Sequence, residues 1–363
     1  MEDYFSFQWH ITDDCDQHCE HCYIYHRCKE RRLDQTALEH MRRILDNCLD
    51  MCAALKRIPY VYITGGDPLL HNNFWHLAEL LHTRSVNFAV LGNPFRLTEE
   101  TCRRLRRYGC DAYQLSLDGL RETHDRIRNP GSFDAVLDAV PLINAAGMES
   151  AVMTTVSGAN IGEVPRLIDI VTEHEVSVFA FSRYCPGTVS TIPGRMQSLD
   201  FAIPPLRYRE LLCRCWDKFT EYRDGNTVFM LKDHLWTLFL YEKGLFTLPK
   251  DMEEGVIYDG CNCGISHLTI LPSGEVYACR RIENPASSQP GKLGNALNGS
   301  LRDMFLGPRM DAYRNFAAFR KCADCELLQF CRGCPAVAAA YTGSFYGADP
   351  QCWKAVEPAV YGW

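Results

Sequence analysis

The sequence predicts an α/β fold with a parallel sheet, followed by a cysteine-rich region. Three observations lead there. Short β-rich runs alternate six times with segments of helical period, the pattern of parallel strands joined by right-handed crossovers. The strands end in turns carrying Cys, Gly, Asn or Asp. Eight of the 19 cysteines fall between Cys261 and Cys352, where the strand–helix spacing changes. Periodicity alone leaves open a partial barrel or a flat doubly wound sheet. At 363 residues the chain can bury a full core and is expected to hold two domains.

A first strand is expected over 5–12, running into a loop with three cysteines. A helix over 33–55 follows, because Leu38, Met41, Leu45, Leu49 and Cys52 recur at helical spacing. Cys48 and Cys52 lie on its apolar stripe and read as packing residues. A strand over 60–64 ends in Gly65-Gly66-Asp67-Pro68, and 74–82 is helical. A strand over 87–91 ends in Gly92-Asn93-Pro94, and Thr98 caps the next helix. Strands over 111–117, 150–156 and 177–181 alternate with helices over 133–145 and 164–173. Residues 186–260 read as a looser bridge, helical over 204–222 and 232–241. The expected divisions are thus 1–185, the bridge 186–260, and the cysteine-rich 261–363.

Composition narrows the class. A hydrophobic content of 47% and a charged content of 23% fit a soluble globular protein, and the net charge of −7 argues against a nucleic-acid partner. No apolar run approaches the ~18 residues of a membrane span. The start lacks the basic and apolar regions of a signal peptide, so the expectation is cytoplasmic. An odd cysteine count in a chain this long does not suit a disulfide scaffold and points to metal in a reducing compartment.

Cys15, Cys19 and Cys22 are spaced C-x3-C-x2-C. Thiolates are soft ligands for iron–sulfur clusters or zinc. Three on one loop can hold three corners of a [4Fe–4S] cubane and leave the fourth iron open to another ligand. A zinc site would instead close with His18, His21 or Cys28. In Gly65-Gly66-Asp67-Pro68 the glycines let the backbone approach a ligand closely, and the carboxylate or nearby carbonyls can hold an ammonium. A plain tight turn is the alternative.

The cysteine loop resembles the signature of the radical S-adenosylmethionine (SAM) enzymes, and Gly65-Gly66-Asp67-Pro68 resembles their Gly-Gly-Glu-Pro segment, with Asp for Glu. The resemblance implies a partial (β/α)6, TIM-like barrel with chemistry at the C-terminal ends of its strands. It implies a cluster that chelates SAM through its amino and carboxylate groups and cleaves it to methionine and a 5′-deoxyadenosyl radical. By likeness, Asp67 with Gly65 and Gly66 meets the SAM amino group, and His21 or Tyr23 lies by the adenine. Ser116-Leu-Asp-Gly119, His124-Asp-Arg-Ile-Arg128 and Gly131-Ser-Phe133 resemble many peptide-modifying members. Ser116 would then meet the ribose or methionine part and Arg128 the carboxylate, with Asn93 and Arg183 as further candidates. For Arg128 the alternative is a surface salt bridge.

Cys322-x2-Cys325-x5-Cys331-x2-Cys334 and Cys352, with Cys261, Cys263 and Cys279 upstream, could taken alone build two structural zinc sites. Their order resembles the SPASM extension, which holds two auxiliary [4Fe–4S] clusters and would make three clusters in all. By that likeness Cys322, Cys325, Cys331 and Cys352 hold the outer cluster, and Cys261, Cys279 and Cys334 the inner one. The knot closes with x2 where x3 is usual. Either Cys263 completes the inner cluster or one iron stays open for a substrate thiolate.

SPASM enzymes mostly act on peptides or proteins. Sulfatase maturases carry a carboxylate after the cysteine equivalent to Cys279, where this chain has Arg280 and Arg281. The expected activity is therefore hydrogen abstraction from a ribosomally made, Cys-rich precursor peptide, with a thioether cross-link as product. Carbon–carbon cross-linking, epimerisation and formylglycine formation are the enzymatic alternatives, and a zinc-binding scaffold the non-enzymatic one. An electron donor such as flavodoxin or ferredoxin is implied. With 14 residues ahead of Cys15, no winged-helix leader-binding domain is expected there. The leader would bind the barrel, the bridge or a separate leader-binding protein.

Overall fold

The computed structural model describes residues 4–22, 24, 35–186, 202–253, 255–282 and 291–355. Tyr23 and Cys28 lie outside them. Six strands set the frame: β1 (Tyr4–Thr12), β2 (Ile58–Gly65), β3 (Phe88–Leu91), β4 (Cys110–Ser116), β5 (Glu149–Val156) and β6 (Val178–Arg183). They pair parallel in sequence order in an open sheet that does not close on itself. Helices α1 (Leu38–Leu55), α2 (Phe74–Thr83), α3 (Glu99–Arg107), α4 (Arg121–Ile127), α5 (Ser132–Ala145) and α6 (Val164–Glu173) fill the connections. Thr98 caps α3 by accepting from the Thr101 amide.

The sheet runs beyond these six strands. In the bridge, β7 (Val228–Met230) pairs parallel with β6 between α7 (Pro205–Glu221) and α8 (Leu235–Glu242). From the cysteine-rich region, β8 (His267–Ile270) pairs parallel with β1, and β9 (Glu275–Tyr277) and β10 (Lys292–Asn295) continue antiparallel. All three divisions read from the sequence therefore contribute to one sheet, and the cysteine-rich segment is built onto the first strand. Two local expectations change. The first helix starts at Leu38 because Ala37 is extended and Gln35 bridges Thr12. The stretch after β4 folds an additional helix, α4.

The two faces of the sheet differ sharply, as the period-2 alternation of a strand allows. Phe5, Phe7, Trp9 and Ile11 on β1, with Val61, Ile63, Tyr113, Leu115, Phe179 and Phe181, are fully buried in the main hydrophobic cluster. Their partners are helix side chains such as Met41, Leu45 and Trp236. Cys48 and Cys52 belong to the same core, as packing residues of α1. The opposite face is left partly open. Cross-strand register places Gln8, Tyr62 and Ala89 in one row, and Ser116, Met153, Ala180 and Met230 in another nearer the C-terminal ends. Met230 is 51% exposed and Tyr62 37%. That face leads directly to the strand ends where the cysteine loop sits.

Candidate cluster and SAM site

The cysteine loop leaves β1 at Thr12 and is clamped by the end of β2. The Gly66 amide donates to Thr12 O at 2.8 Å and the Asp67 amide to Asp14 O at 2.7 Å. These bonds explain both glycines. A Cβ on Gly65 would stand 2.2 Å from Thr12 O, at φ +153°, and one on Gly66 would stand 2.1 Å from Asp14 O. What the glycines approach closely is the cysteine loop itself. Gly66→Ala is expected to cost about 1–3 kcal/mol through overpacking and to reduce iron incorporation, read by iron and sulfide content after anaerobic reconstitution.

Asp67 is wholly buried. One carboxylate oxygen accepts from the Leu69 amide at 3.3 Å, and Oδ2 has no partner among the described residues. Burial, with Asp16 nearby, pushes its pKa up to about 7. An unpaired buried carboxylate oxygen suits an ammonium group, which would repair its lost hydration. Asn93 serves the loop: its Nδ2 lies 3.4 Å from Cys15 Sγ and 2.5 Å from Asp16 Oδ1, while its carbonyl accepts from Tyr113. Ser116 ends β4 on the open face and is half-buried.

The third wall is charged. Arg128 donates through Nε to Asp118 at 2.7 Å and through Nη1 to Gln17 at 3.2 Å, with Cys19 Sγ 3.8 Å away. It is a buried ion pair and not a surface bridge. His21 Nε2 stands 3.4 Å from Asp118 Oδ2, and the His21 ring meets Tyr184 edge-on. Burial alone would raise the Asp118 pKa, but Arg128 and His21 outweigh it and hold the carboxylate below its usual range. Burial pushes Cys15 up to about 12 and Cys19 up to about 11, as expected of thiols that ionise only when a metal takes the proton's place.

Arg183 is placed differently from the expectation. Its Nε reaches Asp233 at 2.9 Å, Nη1 reaches Asp349 at 2.7 Å and Gln351 at 2.9 Å, and Nη2 reaches Asp349 at 2.9 Å. All three nitrogens are engaged, so this arginine ties β6 to the bridge and to the C-terminal segment and has no nitrogen free for SAM. A strand-end arginine carries no local mark of partners 50 and 166 residues away.

The C-terminal cysteines fall into two groups. Cys322, Cys325, Cys331 and Cys352 line one cavity between α8 and the C-terminal segment. Cys334 is not among them. It lies toward Cys261, with its amide donating to Asp349 at 2.7 Å. Gly333 permits this turn, since φ is +59° and a Cβ would stand 2.5 Å from Asp349. Cys261 and Cys279 both adjoin Cys263, whose Sγ meets Ala278 O at 3.2 Å. The sequence reading missed His234, at the head of α8. Burial would lower its pKa, but the adjacent Cys261 raises it above the usual value. Among the described residues no three His, Cys, Asp or Glu side chains converge as a single metal ion requires. The fit to clusters therefore rests on the soft donor set and its grouping.

With that arrangement in view, residues 9–171 match the radical SAM superfamily and residues 261–335 match the SPASM iron–sulfur cluster-binding domain. The chain is a radical SAM enzyme, which binds a [4Fe–4S] cluster and SAM. It belongs to the SPASM-bearing members, whose extension binds auxiliary iron–sulfur clusters. It is similar over 369 residues, at 23% identity, to Fe-coproporphyrin III synthase of Methanosarcina barkeri, covering 97% of this chain and 88% of that protein. It is similar over 372 residues, at 25% identity, to mycofactocin maturase MftC of Mycobacterium tuberculosis, covering 97% and 84%. Among solved structures, SuiB of Streptococcus suis bound to SAM shares the fold, with a TM-score of 0.73 at 18% identity, covering 96% of this chain and 77% of that one. SuiB has also been solved with the precursor peptide SuiA. No described helix is long and apolar enough to cross a membrane.

Proposed function

We propose that this enzyme modifies a ribosomally made, Cys-rich precursor peptide in the cytoplasm and forms a thioether cross-link. When bound, SAM and its cluster supply a 5′-deoxyadenosyl radical, and the auxiliary clusters supply an electron acceptor. Cys15, Cys19 and Cys22 hold the SAM cluster. Cys322, Cys325, Cys331 and Cys352 hold the outer auxiliary cluster. Cys261, Cys263, Cys279 and Cys334 hold the inner one, so its irons are all ligated and a substrate thiol does not need to bind one. Asp67 takes the N–H of the SAM amino group. Arg128 Nη2, which makes no hydrogen bond among the described residues, takes the carboxylate, with Ser116 alongside. His21 flanks the adenine. A flavodoxin or ferredoxin supplies the reducing electron.

The observation that carries the peptide reading is the open face of the sheet. Gln8 and Gln114 point there, half-buried, and neither amide has a hydrogen-bond partner among the described residues. Met153 and Met230 lie on the same face, in the row nearer the C-terminal strand ends. On β1 to β7 no lysine or arginine shares that face; Lys292 on β10 does, in register with Gln8 through Thr269 and Tyr277, and it is paired with Glu275. Free amides sharing a face with flexible apolar side chains suit the backbone and side chains of an extended peptide. The precursor-bound SuiB supports the same substrate class by likeness of fold.

A second reading comes from the coproporphyrin-acting relative. A coproporphyrin carries several carboxylates and would want cations facing it; Lys292 and Arg281, which reach this face, are engaged by Glu275 and Ser182. The test is to give the anaerobically reconstituted enzyme, with SAM and reductant, either a short Cys-rich peptide found in a neighbouring reading frame or iron coproporphyrin. The proposal expects a peptide product lighter by two hydrogens, with a thiol lost to alkylation. A changed porphyrin and an untouched peptide would replace it with the second reading.

Asp67 gives a pH signature. With a pKa near 7, its carboxyl must lose a proton before both oxygens are free to accept from the SAM amino group. SAM affinity is therefore expected to rise with pH up to about 7 and to level off above it. Calorimetric titration of the reconstituted protein checks this, and Asp67→Asn is expected to bind weakly with a flat profile.

A further inference from the structure

Asp118 lies at the centre of the charged wall, and no role in the reaction described so far uses it. It is completely buried. Its Oδ2 serves both Arg128 Nε at 2.7 Å and His21 Nε2 at 3.4 Å, and its Oδ1 accepts from the Thr155 amide at 2.7 Å. The residue is also fixed through its backbone. Its amide donates to His124 Nδ1 at 3.0 Å, and its carbonyl accepts from Asn160 Nδ2 at 2.9 Å. His124, neutral with a pKa lowered to about 4 by burial and Arg128, is in the right form to accept. One carboxylate thus joins the ends of β4 and β5, α4 and the cysteine loop.

Both groups on Oδ2 belong to the cysteine loop's surroundings. His21 sits between Cys19 and Cys22 in the chain. Arg128 spans Asp118 on one side and Gln17 and Cys19 Sγ on the other. A cation beside a cluster thiolate stabilises the reduced, more negative cluster. An anion behind that cation opposes the effect and fixes where the cation stands.

We propose that Asp118 is a positioning residue that holds Arg128 against Cys19 and His21 beside the SAM cluster, and that the Asp118–Arg128 pair sets that cluster's reduction potential. The inference rests on the assignment of Cys19 as a cluster ligand. It concerns the charge balance around the cluster and holds for any substrate.

The two halves of the pair predict shifts of opposite sign. In Asp118→Asn the cation is no longer balanced, so the midpoint potential moves positive. In Arg128→Gln the cation is gone, so it moves negative. Asp118→Glu keeps the charge and is expected to return the potential toward wild type. The measurement is an EPR-monitored potentiometric titration of the full reconstituted chain, with iron and sulfide counted for each variant. Opposite shifts at unchanged cluster content bear the proposal out. Unmoved potentials, or shifts in the same direction as general loosening would give, overturn it. Should Asp118→Asn fail to take up iron, Arg128→Gln still has to shift negative. Cys19→Ala separates the two levels of the argument. If that variant keeps the SAM-cluster signal, the ligand assignment has failed. If it loses the signal and the other potentials stay fixed, only the role of the Asp118–Arg128 pair has.

Discussion

Cys19→Ala is expected to abolish SAM cleavage and to lower iron from about twelve to about eight atoms per chain, the loss of one [4Fe–4S] cluster of three. The reason is local. Two thiolates on a short loop cannot retain a cubane that already lacks a fourth protein ligand. Among the described residues that touch its thiols, Gln17 and Asn93 offer amides and not thiolates. The fold is expected to survive, because the loop is held by backbone bonds to Gly66 and Asp67 that do not involve Cys19. Cys48→Ala is the control. That thiol is as buried as Cys19 but sits in the core of α1. Its removal should leave iron and SAM cleavage untouched and lower stability only modestly, a small cavity term. Iron and sulfide analysis with chromatography of 5′-deoxyadenosine reads both variants.

Asp349→Ala is expected to destabilise the protein by about 1–3 kcal/mol, the usual cost of leaving buried donors unsatisfied, because Asp233 still pairs the Arg183 charge. Arg183 and Asp349 are each about 1% exposed, so solvent screening does not soften the loss. Asp349 takes two guanidinium nitrogens and the Cys334 amide, while Asp233 holds Arg183 from the bridge. The substitution therefore loosens three segments together: the end of β6, the head of α8 and the cysteine knot. Denaturant unfolding of the reconstituted protein measures the cost. The same variant should lose auxiliary-cluster iron before SAM-cluster iron, because Cys334 turns on Asp349 and the Cys15 loop does not. Arg183→Met, which removes the charge and keeps much of the volume, leaves both carboxylates without their cation and should cost more, about 3–5 kcal/mol.

What could be read from the sequence depended on how far apart the interacting residues lie. The three-thiolate loop, the Gly-Gly-Asp-Pro turn and the alternation of strands and helices are local patterns, and the structure keeps them. The grouping of Cys322, Cys325, Cys331 and Cys352 apart from Cys334 was expected only through likeness to the SPASM extension, and the four line one cavity. Long-range partners were not. Arg183 looked like a ligand contact because it ends a strand, and only the fold brings Asp233 and Asp349 to it. Gly65 and Gly66 looked like a ligand's landing place, but the atoms they approach belong to Thr12 and Asp14, more than 50 residues earlier. β7 is three residues long and too short for a periodic signal, and the pairing of β8 with β1 spans 261 residues at Ser6 and His267. His234 gave no signal at all, since a lone histidine ahead of an apolar helix more often packs than tunes a thiolate.

The central claim is that the Cys15, Cys19 and Cys22 loop, closed by Gly66 and Asp67, drives reductive cleavage of SAM. Its most direct test is incubation of the anaerobically reconstituted, dithionite-reduced protein with SAM. The account predicts 5′-deoxyadenosine and methionine in equal amounts, absent from the Cys19→Ala protein. Intact SAM in the presence of a fully assembled, reduced cluster would contradict it.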